Sequence, residues 1–236
     1  MLISHRYKYI YLKTVKTAGT SVEIYFERFC VDPAASYKER HFREPAISKL
    51  GVVGYRGPNI NGQTWYNHMP AKRVSELLGQ ELWSKYFKFC VVRNPFDKVV
   101  SWFWFQLEDP DRKELGRAPF PIVRKAFVSW ARNAHFPRDR RVFMIDGEPV
   151  ADCFIRYETL AQGMRKVCRK LKLPWEPARL GKYKTDFRVR NEPFSMYYDA
   201  RTESAVRQTY DWELEYFGYD LKRAPRRGAG RKPRSA

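Results

Sequence analysis

No stretch of the chain approaches the ~18 to 20 consecutive apolar residues that a membrane-spanning helix needs, and the opening MLISHRYKYIYL is too short and polar for a secretory leader. Cysteine is scarce. Cys30, Cys90, Cys153 and Cys168 are widely spaced with no CxxC pair, and two sit inside apolar runs, so they read as reduced structural thiols. There is no internal repeat and no GK[ST] sequence, which removes the usual metal-dependent triphosphate loop. Acidic residues are also in deficit, 26 against 45 Lys and Arg, leaving a net charge of +19. Together these features point to a cytoplasmic protein, a composition that a membrane-anchored form trimmed of its anchor would share.

What is present is ample for a core. An apolar share of 44% with 16% aromatics excludes a disordered chain, and 236 residues suit one domain, expected over 1–221. The last fifteen residues, KRAPRRGAGRKPRSA, carry seven basic residues and no acidic one, and residues 222–236 are expected to be a disordered basic tail. Since 19 minus 7 leaves +12, the body is basic too, which favours anionic cofactors, polyanions or acidic surfaces as partners.

Strand and helix patterns alternate. YKYIYL (7–12) reads as a buried strand, followed by a helix carrying Val22, Phe26 and Phe29 on one face; YFKFCVV (86–92) is a second strand, leading into a helix from Pro95 to Leu107 capped by Asn94. A short helix is expected over 71–79, a helix over 121–133, a hairpin at Asp146-Gly147, a helix through Leu160, Met164, Val167 and Leu171, and a last helix from Asp199 to Tyr216. The pattern predicts an α/β fold: a three-layer, P-loop-like domain with a largely parallel sheet flanked by helices, its ligands collecting at the carboxyl ends of the strands.

Two motifs fall at that edge. In KTAGTS (Lys16, Thr17, Ala18, Gly19, Thr20, Ser21), a helix N-terminus offers unpaired amides to an anion, Gly19 permits close approach and two hydroxyls follow. Thr20 stands where a triphosphate loop has its Lys, and Lys16 precedes the Gly instead, beside the bridging oxygen of a transferred group; Arg93 ends the second strand where a magnesium-holding Asp belongs, so a metal-free transfer is expected. Arg93 and Ser101 suit a second phosphate.

KTAGTS and RNPFDKVVS, each after a strand, resemble the two nucleotide loops of sulfotransferases that use 3'-phosphoadenosine 5'-phosphosulfate (PAPS). NHMPAKRVSELLG, DCFIRYETL and YDARTESAVRQTYDWELEYFGYDL extend the likeness to carbohydrate sulfotransferases related to heparan sulfate 2-O-sulfotransferase, over most of 7–221. The resemblance implies that Lys16, Thr17, Ala18, Gly19, Thr20 and Ser21 hold the 5'-phosphosulfate, with Lys16 also catalytic. It further implies that Arg93 and Ser101 hold the 3'-phosphate, and that His68 is the general base for the hydroxyl of a carbohydrate or other hydroxyl-bearing acceptor, acidic acceptors included. Val15 departs from the family, where a Pro is common before the Lys.

Duller readings stand beside these. KTAGTS can be an ordinary helix start, and His5, His41 and His135 are alternative bases. Arg156 and Glu158 suit a structural ion pair, and Lys182, Lys184, Arg188 and Arg190 a solvated basic loop. Trp102, Phe103, Trp104 and Phe105 cover every side of their helix, so some must be core. Two other functions remain: a nucleotide kinase, opposed by the missing GK[ST], and a nucleic-acid-binding protein, opposed by the lack of a recognised module, so that no nucleic acid is expected as partner.

Overall fold

The tyrosine-rich run near the N-terminus folds as two strands, β1 (Leu2–Ser4) and β2 (Tyr9–Leu12), paired antiparallel with Leu2 against Tyr11. The four-residue turn between them, with Lys8 left-handed at φ 53°, is too short for any crossover. A computed structural model of the chain describes residues 1–32, 42–183 and 186–222; His41, Lys184 and the expected tail from 223 onward lie outside the described residues. Next come α1 (Gly19–Glu27), the hairpin strands β3 (Ala46–Ser48) and β4 (Gly51–Val53), α2 (Ala71–Leu78), α3 (Gln80–Lys85), β5 (Phe87–Val92) and α4 (Pro95–Gln106). They are followed by α5 (Asp109–Arg117), α6 (Phe120–Ala131), α7 (Arg140–Phe143), β6 (Met144–Ile145), β7 (Glu148–Pro149), β8 (Cys153–Arg156), α8 (Leu160–Lys170), α9 (Ala200–Thr209) and α10 (Asp211–Phe217).

The main sheet runs β3-β4-β1-β2-β5-β8. Only the β2-β5-β8 half is parallel; β1, β4 and β3 are antiparallel, which corrects the expectation of a largely parallel sheet. The physical reason is connection length: β1–β2 and β3–β4 are joined by short turns, whereas β2 reaches β5 through a long segment containing α1, α2 and α3. The Asp146-Gly147 hairpin forms, but as two-residue strands, and the separate strand β8 is the one that joins the sheet and feeds α8.

Contacts divide the chain into two compact units, Met1–Val92 with Asp139–Lys184, and Arg93–Arg138 with Thr185–Ala236. In the first, Tyr9, Tyr11, Phe89, Val91 and Ile155 point from one sheet face into a core with Val22, Tyr25 and Phe26 of α1 and Met164, Val167 and Cys168 of α8. Ile10, Leu12 and Cys90, on the other face, are as fully buried, so the sheet is covered on both sides. In the second unit, Phe96, Val99, Phe103 and Trp104 of α4 pack with Val123 and Phe127 of α6, Tyr197, Tyr198, Val206 and Tyr210. Trp102 instead lies half-buried and stacks on Phe105, ring centroids 5.4 Å apart. The expected final helix breaks at Tyr210 (φ −120°, ψ 29°), which ends α9 and precedes α10.

Candidate active site

Because β2 and β5 are parallel neighbours, with Leu12 opposite Cys90, both strands end at one edge of the sheet. The loop after β2 is folded tightly there. Thr14 Oγ1 donates to the Val91 carbonyl, and Thr17 Oγ1 lies 2.7 Å from Thr14 Oγ1 and 3.2 Å from the Thr14 carbonyl. The Thr17 hydroxyl is thus turned inward, which leaves its amide as the group it can offer outward. Val15 N–H donates to both oxygens of the buried Asp139 carboxylate, at 3.0 and 3.2 Å. A Pro at 15 has no N–H for that bond, so the departure of Val15 from the family pattern coincides with an anchor that needs it.

Lys16 and Ala18 both have φ 58°, a left-handed conformation that costs a non-glycine residue roughly 1–2 kcal/mol. Alternation of left- and right-handed residues turns successive amides toward one point, the geometry of an anion nest. The helix behind it has no side-chain cap and no acidic residue in its first turn, so nothing in α1 itself neutralises the amides of Gly19, Thr20 and Ser21. A Cβ at Gly19 would stand 3.0 Å from Cγ and Cε of Lys13, which explains why this position has no side chain. Ser21 Oγ accepts from Tyr183 N–H at 3.3 Å, leaving the hydroxyl proton to donate.

His68 is brought to this loop. Its Nδ1 lies 3.1 Å from the Lys13 carbonyl oxygen, an atom that only accepts, so Nδ1 carries the proton and Nε2 keeps its lone pair. Burial first, then the Lys13 ammonium, pushes the imidazole down to about 3, so it is neutral at physiological pH. His5, by contrast, follows β1 at the opposite edge of the sheet and bonds Tyr86, so it stands away from the loop.

The Lys13 side chain runs under the loop into a buried ion network missed by sequence reasoning. Glu23, fully buried on α1, accepts from Lys13 Nζ at 2.6 Å, Arg56 at 2.8 Å and the Met1 amino group at 3.1 Å. Burial alone would raise the Glu23 carboxyl, but these three cations outweigh it and hold it well below the usual carboxylate range. The signal was legible in SVEIYF, where a carboxylate interrupts an otherwise apolar helix.

The second motif behaves differently. Asn94 caps α4 through the Phe96 amide at 3.0 Å and Asp97 sits in its first turn, so this helix start is already satisfied and any anion there must be held by side chains. Arg93 and Ser101 belong to the second unit. Asp97 orients two guanidiniums at once, taking Arg93 Nε at 2.7 Å and Arg188 at 2.6 Å. Arg188 Nε is buried without a partner among the described residues.

The chain belongs to the sulfotransferase family: the family model matches residues 1–140, more than half its length and the whole span from the loop through His68, Arg93 and Ser101. Searches of curated proteins and of solved structures each returned no match. Membership makes it a transferase of sulfuryl groups to a hydroxyl-bearing acceptor. Among the described residues no helix is long and apolar enough to cross a membrane.

His68 and Glu23 act on stability in the same direction. His68 has a folded value below its ordinary 6.5, so the unfolded chain takes up that proton first and stability falls as pH drops from 6.5 toward 3. Glu23, also held low, contributes stability that is present above its ordinary 4.5 and lost as pH falls through its folded value. Urea midpoints are expected to decline on acidification, with His68→Asn flattening the slope between 6.5 and 4.5.

Proposed function

We propose that the protein transfers a sulfuryl group from PAPS to a carbohydrate hydroxyl, the acceptor class suggested by the likeness to carbohydrate sulfotransferases related to heparan sulfate 2-O-sulfotransferase. The observation that carries the reading is the uncapped start of α1 behind two left-handed residues, next to a His whose Nε2 is free to accept a proton. The features of the loop fit a phosphosulfate: a helix start without a side-chain cap, a side-chain-free Gly19 and an available Ser21 proton. PAPS would supply, when bound, a sulfuryl group on an anhydride oxygen that stays with the 5'-phosphate of the departing adenosine 3',5'-bisphosphate.

The amides of Thr17, Ala18, Gly19, Thr20 and Ser21, with the hydroxyls of Thr20 and Ser21, hold the 5' end, as a P-loop-like cradle without a metal ligand. Lys16 neutralises charge on the departing oxygen. Arg93 and Ser101 take the 3'-phosphate, with Arg188 as a further donor aligned through Asp97. His68 Nε2 removes the acceptor's proton as its oxygen attacks sulfur in line. An imidazole at about 3 is a weak base, and an anion bound in the adjacent loop raises its affinity for a proton, so base strength rises only with the donor in place.

Mass spectrometry of a glycan panel incubated with the protein and PAPS tests the function; a sulfate mass increment on one class of glycan is expected, and no increment on any hydroxyl-bearing acceptor contradicts it. His68→Ala is expected to lower kcat about 10²- to 10⁴-fold with donor affinity kept. Full activity in that variant removes His68 from the mechanism.

A further inference from the structure

Gripping an anion gives no reason for a carboxylate at Glu23, on a helix packed through Val22, Tyr25 and Phe26. Burying charges costs free energy even when they are paired, and apolar replacements of similar volume are often as stable. The network's geometry shows where its use lies. Lys13 Nζ, held by Glu23, also donates to Asn67 Oδ1 at 3.2 Å, and Asn67 immediately precedes His68. The Asn67 amide donates to the Tyr55 carbonyl at 2.9 Å, so Asn67 is fixed at both ends. His68 itself is left-handed, φ 58°, a conformation that persists only where the surroundings impose it. The Lys13 carbonyl then takes the imidazole Nδ1–H at 3.1 Å. One residue thus holds the base twice, by side chain through Asn67 and by main chain through the ring.

We propose that Lys13, clamped beneath the anion loop by Glu23, which Arg56 holds in turn, is a positioning residue for His68: its ammonium fixes the Asn67–His68 turn and its carbonyl selects the tautomer that leaves Nε2 unprotonated. The importance of this for turnover rests on His68 being the base; the positioning itself does not. The charged groups that act on His68 are the Lys13 ammonium, the Met1 amino group and Glu23, and removing the first takes away a cation that opposes protonation of the ring.

The experiment is nitrogen NMR of histidine-labelled full-length protein without ligand, with the His68 resonances assigned from the spectrum of His68→Ala. In the wild type His68 shows the Nδ1–H tautomer and stays neutral on acidification toward about 3. In Lys13→Met the His68 titration is expected to rise by about one unit or more and both tautomers to appear, with partial recovery in Lys13→Arg. Asn67→Ala, which leaves the Lys13–Glu23 pair in place, is expected to mix the tautomers without removing the ammonium. In activity assays both Lys13→Met and Asn67→Ala lower kcat about ten- to hundredfold with little change in KM for PAPS. A wild-type tautomer and titration in Lys13→Met overturns the proposal. If Lys13→Met does not fold, Asn67→Ala decides alone, and an unchanged single tautomer there overturns it equally. A His68→Ala enzyme of full activity instead overturns the base assignment and leaves the NMR result to judge the positioning.

Discussion

Replacing Lys16 by Ala is expected to lower kcat for sulfuryl transfer about 10²- to 10³-fold, the effect of losing one aligned stabiliser of developing negative charge. Stability should change little, since Lys16 is half-buried at the loop surface and its backbone is held by bonds of its neighbours, Thr14 with Val91 and Val15 with Asp139. A second substitution separates chemistry from conformation. Lys16 pays the left-handed cost at φ 58°, which a Gly does not, so Lys16→Gly is expected to be as inactive as Lys16→Ala yet more stable than it by about 1 kcal/mol after the Gly entropy penalty. Single-turnover kinetics with saturating PAPS and thermal melts check both statements; a Lys16→Ala enzyme within twofold or so of wild-type turnover contradicts the role.

Glu23→Ala is expected to destabilise the protein by about 3–5 kcal/mol, because the substitution leaves Lys13 and Arg56 buried, at 4% and 3% side-chain exposure, without their shared carboxylate. The loss is read as a lower urea midpoint at constant slope. Replacing the whole cluster, Lys13→Met with Glu23→Leu and Arg56→Met, is expected to recover most of that stability, since of the cluster's ionisable groups only the Met1 amino group remains, and burial already pushes it down to about 6, toward its neutral form. The recovered protein should remain slow if Lys13 positions His68, which separates the network's contribution to folding from its contribution to turnover. A cost below about 1 kcal/mol for Glu23→Ala shows instead that water reaches these groups.

The strand-loop-helix at Tyr9–Glu27 was legible because an aromatic strand, a short polar loop and an apolar helix follow one another without interruption, and the α4 start was legible because Asn94, Pro95 and Asp97 each have a local reason to be there. β1 was not. LIS is only three residues long and is set off from YKYIYL by His5 and Arg6, too short for a pattern of its own, and the turn at Lys8 has no Gly or Pro to mark it. The break at Tyr210 is similarly unmarked, since Val206, Tyr210 and Leu214 keep helical spacing across it. Of the site, KTAGTS announces itself through residues adjacent in sequence. The links from Lys13 to Glu23, Asn67 and His68 span up to 55 positions and depend on tertiary contact, which no local pattern encodes. Asp97 read only as a helix-start carboxylate, and its second task, aligning Arg93 and Arg188, depends on a residue 91 positions away.

The most direct measurement is a calorimetric titration of the protein with adenosine 3',5'-bisphosphate, set beside adenosine 5'-monophosphate, without added metal. Saturable binding is expected, with the bisphosphate preferred by about ten- to hundredfold through charge-assisted bonds to its 3'-phosphate, and with that preference lost in Arg93→Ala. No heat from either nucleotide, or equal affinity for both, would contradict the proposed donor and the proposed role of Arg93 toward its 3'-phosphate.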